Sequence, residues 1–386
     1  MSDYIFIGNS TKPTTEKKND RSPIKLDNVS KPCISAAIEL GYNVVLGINR
    51  NNPSELTCVD FPIEMYDSHT YRSIFAFKDN YTAYRNLVNE IKKRDVETIH
   101  CNTPVGGLIG RLAGNRYRIH KIIYTAHGFH FYKGAPLINR TIFKWAEQSM
   151  AHWTDVIITM NQEDYEAAQK FNVRKGGKVY KVHGVGITLS EYENIQVNKK
   201  KKREELGLKD SDIICISAGD IVARKNYSVA IEAIAKANNP QLHYIVCGEG
   251  PERDALEKKA NDLGISDKIH FLGFRTDVKE LRAVSDIFLF SSLQEGLPRS
   301  LMEAMALGLP AVVSRIRGNV DLIEDGKGGI LCETNNPDEY AAAIQRIASD
   351  RLLSKSMKKY NLETIKEYDI SVVDEEIRRI YKEVLC

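Results

Sequence analysis

Two glutamates, Glu295 and Glu303, have the residue type and spacing that most directly suggest chemistry. The apolar stretch Ile287–Phe290 precedes them and is typical of a buried parallel strand. Pro298 suits the first turn of a helix, where its missing N–H is not needed, and Gly308 is typical of a helix end. We therefore predict that Glu295 lies in a strand-to-helix loop and that Glu303 lies inside the following helix.

The start of this helix is predicted to bind an anion. Its unsatisfied backbone N–H groups would belong to Gly296, Leu297, Arg299 and Ser300. Unpaired N–H groups and the helix dipole both favour negative charge at a helix start. One carboxylate would lie beside the anion and the second about one turn deeper.

The string from residue 287 to residue 310 resembles the E-x7-E signature of retaining glycosyltransferases of family 4. The resemblance implies that Glu295 lies at the donor sugar and that Glu303 holds the nucleotide ribose. It also implies that Gly296, Leu297 and Pro298 contact the nucleotide sugar. An amphipathic helix with two solvated acids would explain the two glutamates alone. The Glu-Gly-Leu-Pro step and the strand before it favour the family.

A cationic segment follows the first strand of the second half. It contains Gly219, Asp220, Arg224 and Lys225, and it is similar to the family's Gly-Arg-x-x-x-x-Lys element, whose two cations hold the donor diphosphate. Lys225 keeps the lysine position, whereas Asp220 occupies the arginine position. Arg224 is a candidate to supply the missing positive charge, which would stabilise the negative charge that develops on a departing diphosphate. A basic surface turn before a helix is the alternative.

Two further segments match weaker elements of the family. Gly248 and Gly250 belong to a Gly-x-Gly-Pro turn, in which backbone can approach a ligand closely. A plain tight turn fits this motif equally well. Phe274 and Arg275 resemble the segment that receives the nucleotide base, and a core strand followed by a turn is the competing interpretation.

His127 is the candidate site residue of the first half. It follows a predicted strand in a stretch, residues 124–134, that is rich in aromatic residues and glycine. Ligands of α/β folds bind at the carboxyl ends of strands, which favours a functional residue over a structural one. His127 matches a family histidine that contacts the donor sugar, and the stretch resembles the capsule and exopolysaccharide branch of the family.

Strand-like runs alternate with helical stretches and predict an α/β fold with parallel sheets. One set comprises residues 5–7, 44–46, 98–100, 121–124 and 156–158, and a second set comprises residues 213–216, 243–246, 268–271, 287–290 and 311–313. This order resembles the glycosyltransferase B fold, which implies two doubly wound, Rossmann-like domains that face a cleft. We expect an acceptor-side domain of residues 1–183 plus 371–386, since the last helix would cross back to it. A nucleotide-sugar-binding domain would comprise residues 184–370.

Two polar segments are predicted to lie outside the regular elements. Residues 9–31 are rich in Thr, Lys, Asn, Asp and Pro, which indicates a long loop. Family members often have a Gly-Gly turn there, and this chain has none. The basic run at residues 198–203 is predicted to be a solvated segment just inside the second domain.

Composition indicates a cytoplasmic protein. The chain has 386 residues, no apolar run as long as a membrane span, and an N-terminus without the basic region of a signal peptide. Its seven cysteines are scattered, as expected for reduced thiols. Asp210 and Asp212 form a D-x-D motif, but it precedes a strand, and a helix-to-strand turn explains it. We therefore expect no metal and no cofactor.

Charge is distributed unevenly along the chain. Residues 1–183 contain 25 Lys and Arg against 18 Asp and Glu, whereas the remainder contains 29 against 33. A lipid diphosphate, an acidic membrane surface or a nucleic acid would suit the basic half, and chance is the alternative. No basic helix or aromatic face supports nucleic-acid binding. We predict peripheral contact with the inner membrane face through a basic set: Lys92, Lys93, Arg94, Arg111, Arg116, Arg118 and Lys121.

The resemblance implies a retaining glycosyltransferase that needs no metal. Its donor would be a nucleotide sugar, with a UDP-N-acetylhexosamine or UDP-hexose favoured. Its acceptor would be a saccharide linked to undecaprenyl diphosphate, in capsule or exopolysaccharide biosynthesis. A nucleotide-sugar epimerase and a non-catalytic binding protein of the same fold are the alternatives. A Rossmann dehydrogenase is disfavoured, because neither first strand leads into a G-x-G-x-x-G turn.

Overall fold

The computed structural model describes residues 2–8 and 10–386. Met1 of the N-terminal segment and Asn9 of the predicted loop lie outside the described residues. The chain divides into two compact units. The first unit comprises the residues up to Gly186 together with Ile370–Cys386, and the second unit comprises Ile187–Asp369.

Parallel strands form one sheet in each unit. The strands within the described residues are β1 Asp3–Ile7, β2 Asn43–Ile48, β3 Glu64–Asp67, β4 Val96–Asn102, β5 Lys121–Ala126, β6 Val156–Thr159, β7 Lys178–Lys181, β8 Ile213–Ala218, β9 Leu242–Cys247, β10 Ile269–Gly273, β11 Ile287–Phe290, β12 Ala311–Ser314 and β13 Gly329–Cys332.

The helices alternate with these strands, as βαβ crossovers require. In the same described residues they are α1 Thr15–Asn19, α2 Ser30–Glu39, α3 Phe77–Lys93, α4 Pro104–Arg116, α5 Lys144–Ala151, α6 Gln162–Ala168, α7 Lys199–Glu205, α8 Tyr227–Ala237, α9 Arg253–Asp262, α10 Val278–Ala283, α11 Arg299–Ala306, α12 Asn319–Leu322, α13 Pro337–Ser349, α14 Arg351–Thr364 and α15 Ile370–Leu385. None of them is both long and apolar enough to span a bilayer.

Each sheet changes winding direction at one place. The order of the first sheet is β3-β2-β1-β4-β5-β6-β7, and that of the second is β10-β9-β8-β11-β12-β13. The predicted parallel α/β fold is confirmed, and every predicted strand is present. Ligands of such sheets bind where the strand order reverses, which is between β1 and β4 in the first sheet and between β8 and β11 in the second.

The last helix, α15, belongs to the first unit, as predicted. It packs against α2. The hydroxyl of its buried Tyr381 lies 2.6 Å from Nδ1 of His100 and 2.5 Å from the hydroxyl of Tyr4. These hydrogen bonds connect α15, the last helix, to strands β1 and β4.

The polar segment before α2 is more ordered than a long loop. It contains α1, and two isolated bridges pair Ser10 with Tyr71 and Ile24 with Cys58. Just after the segment, Lys31 of α2 forms an ion pair of 2.7 Å with Asp60. These contacts fasten the segment along the edge of the first sheet.

The basic run at residues 198–203 is only partly solvated. It forms most of α7, and the prediction is wrong for Arg203, which is 1% exposed. Arg203 donates to the backbone oxygens of Val284 and Asp212 and to the carboxylate of Asp286. Because a buried guanidinium needs several acceptors, these contacts fix α7 against the second sheet.

Candidate active site

The second unit gathers three predicted site residues at its switch point. Lys225 and Arg224 follow β8 in a 3-10 turn, Ala223–Lys225, and Glu295 follows β11. Nζ of Lys225 donates to Oε1 of Glu295 at 2.8 Å, and Nη1 of Arg224 donates to the same oxygen at 3.3 Å. The side chains of Lys225 and Glu295 are only 10% and 11% exposed, whereas that of Arg224 is 49% exposed.

In this arrangement both Glu295 and Lys225 can still form hydrogen bonds to a ligand. The described residues donate to Oε1 of Glu295, so Oε2 can accept from a hydroxyl group. The Lys225 ammonium has three protons and uses one on Glu295. Its Nζ also lies 4.5 Å from the centroid of the Phe290 ring, which holds the lysine beside the end of β11.

Neighbouring loops hold the Glu295 loop in place. Nε of the buried Arg317 donates to the backbone oxygen of Glu295 at 3.0 Å. Gly318 has a φ of 82°, and a Cβ there would lie 2.4 Å from the backbone oxygen of Gly296. Only glycine therefore allows this approach. Arg317 and Gly318 were not identified from the sequence, because they follow a different strand, β12.

The start of α11 differs slightly from the prediction. Pro298 is the N-cap residue, with φ of −77° and ψ of 112°, and the first helical residue is Arg299. Gly308 has a φ of 69° beyond the helix end, as predicted. Leu301 and Met302 donate their N–H groups to the oxygen of Pro298. The predicted anion site stays a prediction.

Glu303 lies inside α11, where two arginines hold it. Nη1 of Arg282 donates to Oε2 at 2.6 Å, and Nε of Arg299 donates to Oε1 at 3.1 Å. Arg282 also donates to the hydroxyl of Ser300 at 2.8 Å and is itself buried. Each carboxylate oxygen has two lone pairs, so Glu303 retains capacity for a sugar hydroxyl. Arg282, on α10, is a second residue that the sequence patterns missed.

The glycines predicted to lie near the nucleotide are packed between the loop after β8 and the loop after β9. A Cβ on Gly248 would lie 2.0 Å from the oxygen of Gly219, and one on Gly250 would lie 2.2 Å from the oxygen of Ile221. Gly248 and Gly219 also have positive φ angles of 146° and 153°. The turns after β8 and β9 therefore pack backbone against backbone. This packing is a structural reason for glycine at 248 and 250.

Phe274 and Arg275 follow β10, and they differ in how freely each could contact a ligand. The Phe274 ring is 78% exposed and free to stack on a planar group. Arg275 instead makes a bidentate ion pair with Asp277, at 2.7 Å and 2.6 Å. Lys202 donates to the same carboxylate, and these partners hold the pKa of Asp277 well below its usual range.

His127 belongs to the first unit, whereas the other predicted site residues belong to the second. It follows β5, and its Nε2–H donates to Oδ1 of Asn102 at 3.2 Å, which leaves Nδ1 as an acceptor. Burial lowers the pKa of His127 to about 4. The nearby Asp27 carboxylate raises this pKa and the Arg72 guanidinium lowers it, both less than burial does. The imidazole is therefore neutral near pH 7.

A cavity of about 540 Å³ lies beside His127 at the switch point of the first sheet, and we call it the polar cavity because Lys25, Asp27 and Arg72 line it. Its walls come from β1, from the segment before α2, and from the residues after β4. Neither Lys25 nor Arg72 has a carboxylate partner among the described residues. Asp27 also lines the cavity, and its Oδ1 accepts from the N–H and hydroxyl of Ser30, the first residue of α2.

An apolar groove of about 470 Å³ adjoins the polar cavity. It is lined by residues 72–75, residues 103–105, His130 and Phe143. The rings of His130 and Phe143 stack with centroids 5.4 Å apart. The chain segments that line or adjoin this groove contain large exposed apolar residues, here called the apolar rim: Phe75, Phe77, Leu137, Ile138, Ile142 and Trp145. The sequence patterns did not reveal this surface, because a π-helical turn, Asn139–Phe143, carries part of it.

The predicted basic set does not form one surface. Arg111 is completely buried, and its Nη1 donates to the Glu147 carboxylate at 2.8 Å. Arg94 donates to both Glu64 and Glu90. The membrane prediction is therefore wrong for Arg111, whose charge faces a buried carboxylate, and Arg94 is already neutralised.

No group of three His, Cys, Asp or Glu side chains within the described part of the chain could hold a metal ion. Oδ2 of Asp212 accepts from the backbone N–H of Lys209 at 2.7 Å. Asp212 thereby closes the turn before β8, and it lies at the amino end of the strand. Metal independence stays a prediction for experiment.

Two family models match the chain. Residues 35–183 match the model described as Glycosyltransferase Family 4. Residues 198–364 match the model described as Glycosyl transferases group 1. The two matches fall in the first and second unit, respectively.

Known proteins resemble the chain over most of its length. EpsD of Bacillus subtilis, a provisionally assigned glycosyltransferase, is 32% identical over 89% of this chain and 90% of its own. An Escherichia coli UDP-Gal:α-D-GlcNAc-diphosphoundecaprenol α-1,3-galactosyltransferase is 26% identical over 77% of this chain and 78% of its own. The crystal structure of Anabaena HepE with UDP and glucose has the same fold, with a TM-score of 0.76, 18% identity, and coverage of 99% and 100%.

Proposed function

Because the chain belongs to the family 4 glycosyltransferases of the B fold, we propose that it transfers a sugar from a UDP-sugar with retention of anomeric configuration. The acceptor is a saccharide on undecaprenyl diphosphate, and the product enters capsule or exopolysaccharide assembly. The first unit takes the acceptor, and the second takes the nucleotide sugar. The E. coli relative, whose name contains both a UDP-sugar and a diphosphoundecaprenol acceptor, supports this choice of substrates.

The observation that carries the proposal is the cluster of Glu295, Lys225 and Arg224 at the switch point of the second sheet. Transfer breaks the bond between the anomeric carbon and a diphosphate oxygen, so negative charge grows on the diphosphate. Lys225 is held by Glu295 before any ligand binds, and a fixed cation stabilises that charge without reorganising. Oε2 of Glu295 would accept a hydroxyl of the donor sugar.

Arg224 has the freedom needed to replace the missing family arginine. It follows the loop that contains Asp220, its side chain is half exposed, and only one long hydrogen bond of 3.3 Å holds it to Glu295. A donor diphosphate would offer it a stronger, charge-assisted partner. Phe274 would stack on the base, and Glu303 would accept from the ribose.

His127 would act as a neutral hydrogen-bonding group. With Nε2–H donating to Asn102, its Nδ1 can accept from a substrate hydroxyl. Its low pKa, about 4, favours this role over that of a cation at neutral pH. The same geometry is compatible with a hydroxyl of either the donor or the acceptor sugar.

The apolar rim would place the first unit on the membrane surface. Aromatic and aliphatic side chains that face water gain free energy when they enter the lipid interface. Lys78, Arg140 and Lys144 occur in the same segments and are exposed, so the surface combines apolar and basic residues. Such a surface suits anionic lipids and gives access to a lipid-linked acceptor.

The function is tested by incubating the full-length protein with UDP-, GDP- and ADP-sugars and an undecaprenyl-diphosphate-linked acceptor. Product masses should show the addition of one sugar from a UDP donor. Glu295→Gln should abolish most of this product, and Glu257→Gln, an exposed glutamate on α9, should not. Transfer only from GDP- or ADP-sugars, or only to water-soluble acceptors, would contradict the proposed substrates.

A further inference from the structure

We propose that the first unit binds the prenyl diphosphate end of its acceptor in two adjoining compartments. The diphosphate lies at Arg72, the first isoprene units lie in the apolar groove, and the saccharide extends into the polar cavity. This inference rests on the proposed function, because it assigns a position to the lipid-linked acceptor named there.

The two compartments are continuous. Arg72 and Thr103 line both the polar cavity and the apolar groove, so these two residues form the boundary between them. A molecule that occupies both must change from polar to apolar character at this boundary. In a lipid-linked saccharide the diphosphate stands at that transition, between the sugar and the hydrocarbon chain.

Charge at the boundary suits a diphosphate. Arg72 and Lys25 are exposed cations without a carboxylate partner among residues 2–8 and 10–386. Asp27, the acid that lines the same cavity, has Oδ1 occupied by Ser30. With His127 neutral, the two cations outnumber the one carboxylate that lines the cavity, so the cavity offers a net positive charge to an anion. Arg can bind phosphate oxygens in a bidentate manner.

The groove offers a hydrocarbon chain an apolar path to the rim. Ile74, Phe75, Val105 and Phe143 line it, and the stacked His130 ring orients Phe143. Phe75 belongs to both the groove and the apolar rim. The chain would therefore leave the groove at the surface that is proposed to meet the membrane.

The ordered segment before α2 positions Arg72. The backbone N–H of Arg72 donates to the oxygen of Ser10 at 3.0 Å, next to the bridge between Ser10 and Tyr71. The ammonium groups of Lys12 and Lys18 lie 5.5 Å and 5.4 Å from the centroid of the Tyr71 ring. These contacts explain why a polar segment without the Gly-Gly turn is held so firmly beside the cavity.

Calorimetric titration of the full-length protein tests the inference without donor, turnover or vesicles. The probes are farnesyl diphosphate, inorganic pyrophosphate and farnesol. Farnesyl diphosphate should bind at least about tenfold more tightly than either other probe, because only it fills both compartments. Equal affinities for farnesyl diphosphate and pyrophosphate would overturn the role of the groove.

Two substitutions separate the compartments. Arg72→Gln should weaken both farnesyl diphosphate and pyrophosphate by about tenfold or more, since a charge-assisted contact is lost. Phe143→Ala should weaken farnesyl diphosphate alone, and Phe143→Leu should restore most of the affinity. Arg116→Gln is the matched control, because it removes an exposed arginine from the opposite end of α4, about 18 Å from Pro104 by helix rise. An effect of Arg116→Gln equal to that of Arg72→Gln would mean a diffuse charge effect and overturn the assignment.

A further arm distinguishes the prenyl diphosphate from ordinary lipid headgroups. Phosphatidylglycerol vesicles should not displace pyrophosphate from the protein, and displacement would show a general membrane patch in place of the proposed site. The experiments also distinguish failure of this inference from failure of the proposed function. Transfer to a lipid-linked acceptor with unaltered kinetics in Arg72→Gln would refute the inference and leave the function intact. Tight farnesyl diphosphate binding by a protein that glycosylates only water-soluble acceptors would refute the function.

Discussion

The cations at the carboxyl edges of the two sheets differ in pairing: those of the second unit have carboxylate partners, and those of the first unit have none within the described residues. In the second unit, Lys225 and Arg224 share Glu295, and Arg282 is paired with Glu303. In the first unit, Arg72 and Lys25 line an open cavity and have no carboxylate partner in the described part of the chain. A paired site keeps its geometry before ligand arrives, which suits transition-state stabilisation. An unpaired site gains most from the ligand itself, which suits capture of an anion.

The largest expected effect comes from the paired site. Glu295→Gln should lower kcat by about 100-fold or more, because it removes the negative charge that fixes Lys225 and replaces one carboxylate oxygen beside the reacting sugar by an amide nitrogen. Steady-state kinetics with the identified donor measure this. Near-normal kcat in a folded variant would show that Glu295 is a structural partner of Lys225 and that the paired cluster is not catalytic.

Substitution of the paired lysine should act on the nucleotide. Lys225→Ala should weaken UDP binding by about tenfold or more, since a cation beside the diphosphate is lost. Arg224→Ala should have a smaller effect, because the Arg224 side chain is more exposed. Calorimetric titration with UDP gives both affinities. An unchanged affinity in Arg224→Ala would mean that this residue does not compensate for Asp220.

The apolar rim should govern membrane contact of the first unit. Leu137→Ala should lower partition onto anionic vesicles about threefold to tenfold, because part of its side chain would leave the lipid interface. Leu352→Ala in the second unit is the matched control, since these leucines are 75% and 79% exposed. Vesicle sedimentation measures both variants. Equal loss of partition in both would remove the distinction between the two units.

Protonation of His127 should change the stability of the first unit clearly and its activity little. Its pKa of about 4 lies below the ordinary value of 6.5, so the unfolded chain takes up the proton at higher pH than the folded chain does. Stability is therefore full above about pH 6.5 and is lost as the pH falls toward about 4. Between pH 6 and 8, roughly, no step in kcat/KM should depend on His127.

The control for this prediction is His127→Asn. Its unfolding midpoint, followed by circular dichroism as the pH is lowered, should depend less on pH than that of the unsubstituted protein. A step in kcat/KM near neutral pH that disappears in His127→Asn would show that the imidazole changes charge during catalysis.

Chelation should have no effect on the paired site. Activity should survive EDTA, because Lys225 and Arg224 supply the positive charge that a metal would otherwise give to the diphosphate. Kinetics before and after dialysis against EDTA measure this. A loss of activity that Mg²⁺ or Mn²⁺ restores would contradict metal independence and direct attention to Asp210 and Asp212.

The sequence predicted the regular part of the fold and the local part of the site. Apolar strands such as Ile287–Phe290 are readable because they are buried on both faces. Three short edge strands were missed. Two of them, β3, Glu64–Asp67, and β7, Lys178–Lys181, contain polar residues, and the third, β13, Gly329–Cys332, is an apolar run of only four residues. Glu295 and Lys225 were found because each follows a recognisable strand in a segment that resembles a family motif.

The other residues of the sites escaped for a common reason. Arg282 and Arg317 contact Glu303 and the backbone of Glu295 from distant segments, so no spacing rule connects them. Counting charges along the sequence also gave wrong predictions of exposure, because Arg111 and Arg203 are buried beside their hydrogen-bond acceptors. The groove beside Arg72 is formed by three separate segments, and only the folded chain brings them together.

The central claim is retaining transfer at the cluster of Glu295 and Lys225. The most direct test is the anomeric configuration of the new linkage, determined by NMR on the product made from an α-linked UDP-sugar. The account predicts an α-linked product whose formation depends on Glu295. A β-linked product would contradict retention, and an α-linked product formed at an undiminished rate by Glu295→Gln would contradict the assigned site.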